Sequence, residues 1–287
     1  NNYDPYLQVF NRLEHYVLLG HSVDKIELIV MGGTFTSFDK EYQEEFIKYS
    51  FKAMNDFSEL FFEKDGTLDY SKFKKFFELP TKNFQSEERT KKIHEKLLEM
   101  KGKCKLTEEQ EKNESTKIRC IALCIETKPD WGLTEHGNQI LKLGCTRVEL
   151  GIQSVYEEVI KKIHRGHTIK DTINSIKNLK DLGFKISAHY MPGLPLTDKK
   201  KDLEGMKQLF SDENYRPDML KIYPTMVSKG TPLYLDYKKG DFKPLTAEGA
   251  AEMIAEFKKS VPEYCRIQRI QRDVPTKQWE AGVELTN

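Results

Sequence analysis

From residue 117 onward the chain alternates short β-branched apolar runs with amphipathic segments, and that alternation limits the fold more than any other feature. "KIRCIALCI" reads as a strand and "TEHGNQILKLG" as a helix, with Thr134 suited to the N-cap and Gly144 to the position after its last turn. "CTRVELGIQS" is the next strand. "YEEVIKKIHRG" is a short helix, acidic at its start and basic at its end, as the helix dipole favours. In "HTIKDTINSIKNLKDLG", Thr168 and Asp171 form a capping-box pattern, while Ile169, Ile173, Ile176 and Leu179 line one face and Gly183 ends the helix. Strands are expected at 25–31, 117–125, 146–152, 184–191 and 219–223, with a sixth at 265–270. Helices are expected at 5–19, 41–57, around 201–210 and around 246–259. Strand and helix in turn, every 30 to 40 residues, mean right-handed βαβ units and a parallel sheet. The alternation admits an open sheet with a topological switch or a full or partial (β/α) barrel.

Residues 58–116 break the rhythm. They are rich in Lys and Glu, with "SKFKKFFELP" and "ERTKKIHEKLLEM" as helical pieces. The expectation is a charged, solvated helical insertion on the rim of the barrel, the other reading being RNA contact through its lysines.

The 287 residues suffice for one large domain or two small ones. With 46 basic and 45 acidic residues, net charge is +1, so no global field draws nucleic acid and any RNA surface must be a local patch. Charged residues reach 32%, yet 11% are aromatic, which implies a real core beneath a charged surface and not a disordered chain. Lys and Glu dominate the charges, a trait of heat-adapted proteins. Five scattered cysteines suggest reduced thiols and a cytoplasmic setting. No apolar run approaches membrane-spanning length and no signal-peptide pattern is present. The absence of an initiator Met and the featureless end suggest a piece of a longer protein.

In parallel α/β barrels, sites form at the C-terminal ends of strands. Here those ends turn abruptly from apolar to polar, Gly or Pro: Met31-Gly32-Gly33-Thr34, Glu126-Thr127-Lys128-Pro129, Gly151-Ile152-Gln153-Ser154, His189-Tyr190-Met191-Pro192-Gly193 and Lys221-Ile222-Tyr223-Pro224. Glycines admit a ligand to the backbone and leave amides free to donate. Five such ends in one chain point to a shared pocket, although Gly and Pro also merely terminate strands. Cys120 and Cys124 sit in a strand where four residues span roughly 13 Å, so they cannot share one metal. They read as core residues on one face beside Ala122, Cys145 falls at the wrong strand end, and no metal site is expected in this chain.

The motifs "YDPYLQ", "LGHSVDK", "MGGTF", "IETKPD", "GCTRVELGIQSVYE", "HRGHT", "HYMPGLP", "RPDMLKIYPTMVSKGTPLY" and "RIQRIQRDVP" resemble, in order, the radical-SAM region of the Elongator catalytic subunit family, the tRNA-uridine acetyltransferases. The resemblance covers the chain outside 58–116, and the lysine content suggests an archaeal member. It implies a partial TIM-like radical-SAM barrel spanning 1–287. It also implies a [4Fe-4S] cluster on three cysteines upstream of "YDPYLQ", S-adenosylmethionine as radical source, and acetyl-CoA held by a C-terminal acetyltransferase domain. The product implied is 5-carboxymethyluridine at the wobble position of tRNA. Neither the cluster cysteines nor the acetyltransferase domain is in this sequence, so the chain by itself is expected to be inactive, and its catalytic residues stay unassigned.

Carried onto this sequence, Gly32 and Gly33 match the backbone that binds the amino acid end of S-adenosylmethionine, with Thr34 where many relatives place an acid. Glu126, Lys128, Gln153, Ser154, His189 and Met191 are expected to line the same mouth. Lys25 matches a lysine that contacts acetyl-CoA in the family, although by its own setting it is a surface lysine opening a strand. For RNA the candidates are Lys161, Lys162, Arg165, His167, Lys221, Arg266, Arg269 and Arg272, contacting the anticodon stem-loop, with Tyr190 or Tyr223 stacking an extruded base. Helix-end lysines also serve the helix dipole without any partner. Other Elongator-type subunits or a second copy are further partners, and no membrane is expected. Two other readings remain: a non-catalytic tRNA-docking scaffold, and a radical-SAM enzyme with another substrate.

Overall fold

The computed structural model describes residues 1–81, 83–84, 86–271 and 278–283, and the chain divides into two compact units. The first comprises 1–29 and 38–123, the second 30–37 and 124–287. In chain order the elements are α1 (Pro5–Leu18), β1 (Lys25–Val30), α2 (Lys40–Phe61), α3 (Tyr70–Phe76), α4 (Glu87–Lys101), α5 (Leu106–Ser115) and β2 (Arg119–Thr127). Then come α6 (Thr134–Lys142), β3 (Arg147–Gln153), α7 (Glu157–Lys162), α8 (Ile169–Asp181), β4 (Lys185–Tyr190), α9 (Lys199–Ser211), β5 (Met219–Ile222), α10 (Pro232–Lys239), α11 (Ala247–Lys258) and β6 (Arg266–Ile270).

In the first unit, Asp4 starts α1 by accepting the Tyr6 and Leu7 amides, with Pro5 at the first helical position, where a missing N–H costs nothing. The buried face of α1 carries Tyr6, Phe10 and Leu13. The Tyr6 hydroxyl donates to Asp56 of α2 at 2.7 Å. The stretch expected as a solvated rim insertion is instead packed, which corrects the sequence reading. Phe57, Phe61, Phe73 and Phe77 are almost fully buried and stack edge-on or tilted, with Phe57 and Phe61 at 4.7 Å between ring centres. Arg89 of α4 is buried with them, donating to the Phe77 carbonyl and pairing with Glu14 at 2.5 Å. The lysines and glutamates that dominate this stretch sit on the outer faces of the helices and mask a periodic aromatic core.

The six strands form one sheet in the order β1-β2-β3-β4-β5-β6. β2 through β6 are parallel, with Glu126 opposite Glu149, Glu149 opposite Ser187, and His189 opposite Lys221. A strand order that follows the sequence, with no reversal, is the topology of an opened (β/α) barrel and rules out the doubly wound sheet with a switch point. β3 is buried along its whole length. The Thr168–Asp171 capping box starts α8 as the sequence predicts, whereas α6 takes Leu133 as its cap and Thr134 as its first residue. No helix among the described residues is long and apolar enough to cross a membrane.

Candidate functional site at the strand ends of the second unit

The turn after β1 carries Gly32 at φ 101° and Gly33 at φ 62°, conformations that a side chain disfavours. No atom lies within 4 Å of where a Cβ would stand on either, so the backbone is open to a ligand. Thr34 follows, half-buried. The turn is fastened to the end of β2 by the Thr36 hydroxyl, 2.6 Å from that of Thr127 and 2.8 Å from the Trp131 carbonyl. Lys128, just beyond β2, pairs with Asp130 at 3.0 Å.

β3 ends in a bulge, where Leu150 to Gln153 run against only Ala188 to Tyr190 of β4. The extra residue turns Gln153 to φ 66°. Its carbonyl accepts the Met191 amide at 2.8 Å, so the ends of β3 and β4 are fixed to each other. Gly151 leaves room for two side chains: a Cβ there would stand 2.7 Å from the Arg165 guanidinium and 3.0 Å from the Gln153 amide. Ser154, next in line, is buried.

Beneath these turns lies a buried ionic network that the sequence reading did not foresee. Glu149 is 0% exposed. One of its oxygens is 3.1 Å from Arg147, and the other accepts from His189 Nε2 at 2.8 Å and from the Lys221 ammonium. Lys221 also lies 3.6 Å from Glu126. Burial pushes the Glu149 carboxyl up, but the hydrogen bonds and charges of His189 and Lys221 outweigh it and hold it well below the usual carboxylate range. Burial likewise works against charge on Lys221, and Glu149 reverses this, so the ammonium is held more firmly than an ordinary lysine's. An ionised carboxylate only accepts, so His189 Nε2 carries its hydrogen toward Glu149. The His189 ring meets Tyr223 edge-on at 5.4 Å. Ligand atoms of Glu126, Glu149 and His189 lie within 4.8 Å of one another, close enough to hold a metal ion. Lys221 already provides the positive charge at those carboxylates.

Of the residues predicted from sequence, Glu126, His189 and Lys221 meet in this network, and Gln153 and Met191 meet through the backbone. Lys25 is exposed at the start of β1, in the first unit. Lys161 and Lys162 are exposed at the end of α7, near Glu157 at 3.6 Å and Asp236 at 3.9 Å. Arg165 is half-buried, Arg266 exposed and Arg269 half-buried, while Arg272 lies outside the described residues. Three assignments are corrected. Lys221 is 6% exposed and spends its charge on Glu149. His167 is 3% exposed, and burial and the neighbouring Arg165 lower its pKa to about 4, so at neutral pH it offers an RNA phosphate no charge. Tyr190 is fully buried and cannot stack a base.

The five cysteines are free, and among the described residues no three come together. Burial raises the thiols of Cys120 and Cys265 to about 11 and that of Cys145 to about 12, and pushes Cys124 higher still. A cluster needs converging thiolates, so these cysteines do not fit a [4Fe-4S] centre.

The family model described as the radical SAM superfamily matches residues 2–206, and the one described as the radical SAM C-terminal domain matches 217–287. The chain is 42% identical over 286 residues to a tRNA uridine(34) acetyltransferase of Methanocaldococcus infernus, matching 100% of this chain and 45% of that relative. It is 36% identical to human Elongator complex protein 3, covering 99% of this chain and 44% of the other. A solved structure of the Methanocaldococcus infernus Elp3 with an N-terminal deletion superposes with a TM-score of 0.81 at 41% identity, covering all of this chain and 57% of that one. The chain thus spans a little under half the length of the curated relatives it matches.

Proposed function

The chain belongs to the radical SAM superfamily, and on that premise we propose that it is the barrel portion of an enzyme that uses S-adenosylmethionine and acetyl-CoA to form 5-carboxymethyluridine at wobble uridine 34 of tRNA. The observation that carries this reading is likeness along the whole chain, at 42% identity, to a relative named for acetyl transfer to that uridine.

The residues at the strand ends suit S-adenosylmethionine. The open Gly32–Gly33 turn gives its polar end backbone amides without steric obstruction. Gln153, Ser154 and Met191 border the mouth beyond it. Beneath, Glu149 fixes the His189 ring and the Lys221 ammonium, so the polar floor of the mouth is oriented before any ligand arrives. When bound, S-adenosylmethionine supplies a carbon radical. The cysteines here do not hold the cluster that reductive cleavage requires. A second reading is a tRNA-docking domain, which stem-loop binding without S-adenosylmethionine cleavage would favour.

RNA would meet the exposed Lys161 and Lys162, whereas Arg266 opens β6 at the strand end away from the mouth, and Lys25 is available to acetyl-CoA. The test is binding of an anticodon stem-loop RNA across a salt series. Each phosphate contact adds about 0.7–0.9 to the slope of log K against log salt. The double change Lys161→Ala, Lys162→Ala should flatten that slope by about 1 to 2. A slope unchanged by the substitutions would remove these lysines from the interface. Absence of any binding to the stem-loop would favour a radical-SAM enzyme acting on another substrate.

A further inference from the structure

The turn that follows β4, residues 191–197, borders the mouth and is tied into it at both sides. The Met191 amide donates to Gln153, and the Pro192 carbonyl accepts the amide of Thr225 at 2.9 Å and its hydroxyl at 3.0 Å. Behind the turn stands Asp202, on the first turn of α9 and 1% exposed. Its Oδ2 accepts the Gly193 amide at 2.7 Å and lies 2.9 Å from the Thr197 hydroxyl. That same hydroxyl lies 2.8 Å from the Leu194 carbonyl.

These contacts can be counted in hydrogens. A hydroxyl carries one. A carbonyl and an ionised carboxylate carry none. With Asp202 ionised, the Thr197 hydrogen can serve Leu194 or Asp202, and one of the two close oxygen pairs has no hydrogen between its members. With Asp202 neutral, Oδ2–H donates to Thr197, Thr197 donates to Leu194, and the Gly193 amide rests on a remaining lone pair. Every contact is then satisfied. The other carboxyl oxygen, Oδ1, is buried with no protein hydrogen-bond partner, which is costlier for an anion than for a neutral acid. There is no slack in the packing, since a Cβ on Gly205 of α9 would stand 2.4 Å from the Tyr190 hydroxyl and 2.9 Å from the Tyr156 ring.

We infer that Asp202 is the positioning residue of the turn after β4: neutral, it closes the hydrogen-bond chain through Thr197 to Leu194, and on ionisation it loosens the turn, so one proton controls one wall of the mouth. The titratable groups around it are Tyr190 of β4, Tyr156 before α7, Asp198 at the cap of α9 and Lys201 within it. The Lys201 ammonium is engaged with Glu158 at 2.7 Å and the Leu196 carbonyl at 3.0 Å. Burial is the main cause that raises the Asp202 carboxyl to about 6, with Asp198 adding to it and the Gly193 and Thr197 contacts and Lys201 opposing it. Opened to water, the acid returns toward its ordinary value of 3.8. The closed turn binds the proton more tightly, so the open-to-closed ratio rises between those two values and levels off above the higher one, by about a hundredfold in all.

Amide hydrogen exchange at Gly193, corrected for the intrinsic pH dependence, tests this on the whole chain. Protection should fall about tenfold between pH 5 and 7.5, the share of that hundredfold expected in this window. Asp202→Asn cannot ionise, and its amide oxygen in the Oδ2 position still accepts from Gly193, so its protection should be the same at both pH values. Asp202→Ala should leave Gly193 poorly protected at both. Coincident pH profiles for the wild type and Asp202→Asn would overturn the inference, as would wild-type protection in Asp202→Ala at pH 5. A consequence for cofactor binding rests on the function proposed above, but this readout needs neither cofactor nor RNA, so the two can fail separately.

Discussion

Replacing Glu149 by Gln tests whether the strand-end network is held together by that one carboxylate. Gln is nearly isosteric and can still accept from His189, but it removes the charge facing Arg147 and Lys221. Those side chains are only 5% and 8% exposed, so water cannot take over the role of the lost anion. Breaking a buried pair from one side costs about 3–5 kcal/mol. The retained acceptor places Glu149→Gln near the lower figure, about 3 kcal/mol. For a unit the size of the second one that corresponds to a Tm lower by about 6–12 °C. Both tryptophans, Trp131 and Trp279, belong to the second unit, so tryptophan fluorescence during urea unfolding follows that unit selectively.

Two controls sharpen the test. Adding Lys221→Met to Glu149→Gln removes one stranded cation, and the double variant should recover about 1–3 kcal/mol relative to the additive sum. Because the Glu149 carboxyl is held below its ordinary value of 4.5 in the folded chain, its contribution is present above that value and is lost as pH falls through the depressed one. The gap between wild type and Glu149→Gln should therefore narrow at pH 3. A loss below about 1 kcal/mol at pH 7, or strict additivity with Lys221→Met, would refute the electrostatic account.

Phe61→Ala should cost the first unit about 3–5 kcal/mol, because a buried ring at the centre of the aromatic cluster leaves a cavity; far-UV circular dichroism should register this while tryptophan fluorescence does not. His167 stays neutral when folded and its pKa is lowered to about 4, so the unfolded chain takes up the proton first, and stability should fall as pH drops from 6.5 toward that value. His167→Gln should flatten that part of the pH profile, as read from urea midpoints at pH 7 and 4.5.

The fold was legible where local chemistry and period agreed. Thr168 and Asp171 spell a capping box that the backbone forms, and the apolar runs at 184–191 and 219–223 became β4 and β5 within a few residues. The strand ends were legible as a site because Gly, Pro and polar residues follow each run abruptly. The network's centre was not. Arg147 and Glu149 stand two apart, hence on one face of β3, and Ser187 and His189 repeat that spacing on β4. Alternate charges within a strand that is otherwise apolar up to its last residue, Gln153, are the signal that would have exposed it, since such charges survive burial only when paired. Asp202 was hidden for a different reason. Its partners Gly193 and Thr197 lie in a turn whose path no local propensity fixes. The helices of 58–116 were misjudged because their exposed faces supply most of the charge, while Phe57, Phe61, Phe73 and Phe77 fall into one cluster only after the chain is folded.

Stability alone does not account for the ions beneath the mouth. Apolar residues of similar volume in place of a buried ion network are commonly neutral or stabilising. Two carboxylates and two cations are nevertheless built into adjacent strands, and their formal charges cancel only as a set. What the set achieves is orientation. His189 has its Nε2 hydrogen committed to Glu149, and Lys221 is drawn inward from a position where a lysine would otherwise reach for solvent or phosphate. Glu126, half-exposed and 3.6 Å from Lys221, is the one carboxylate of the set with an outlook on the mouth. A ligand arriving over the Gly32–Gly33 turn would meet a floor whose charges are already neutralised and fixed in direction, so its binding energy would not go into ordering them. Removing Glu149 would therefore disorder the floor and the ligand's polar contacts together, even though Glu149 itself is wholly buried and touches no ligand.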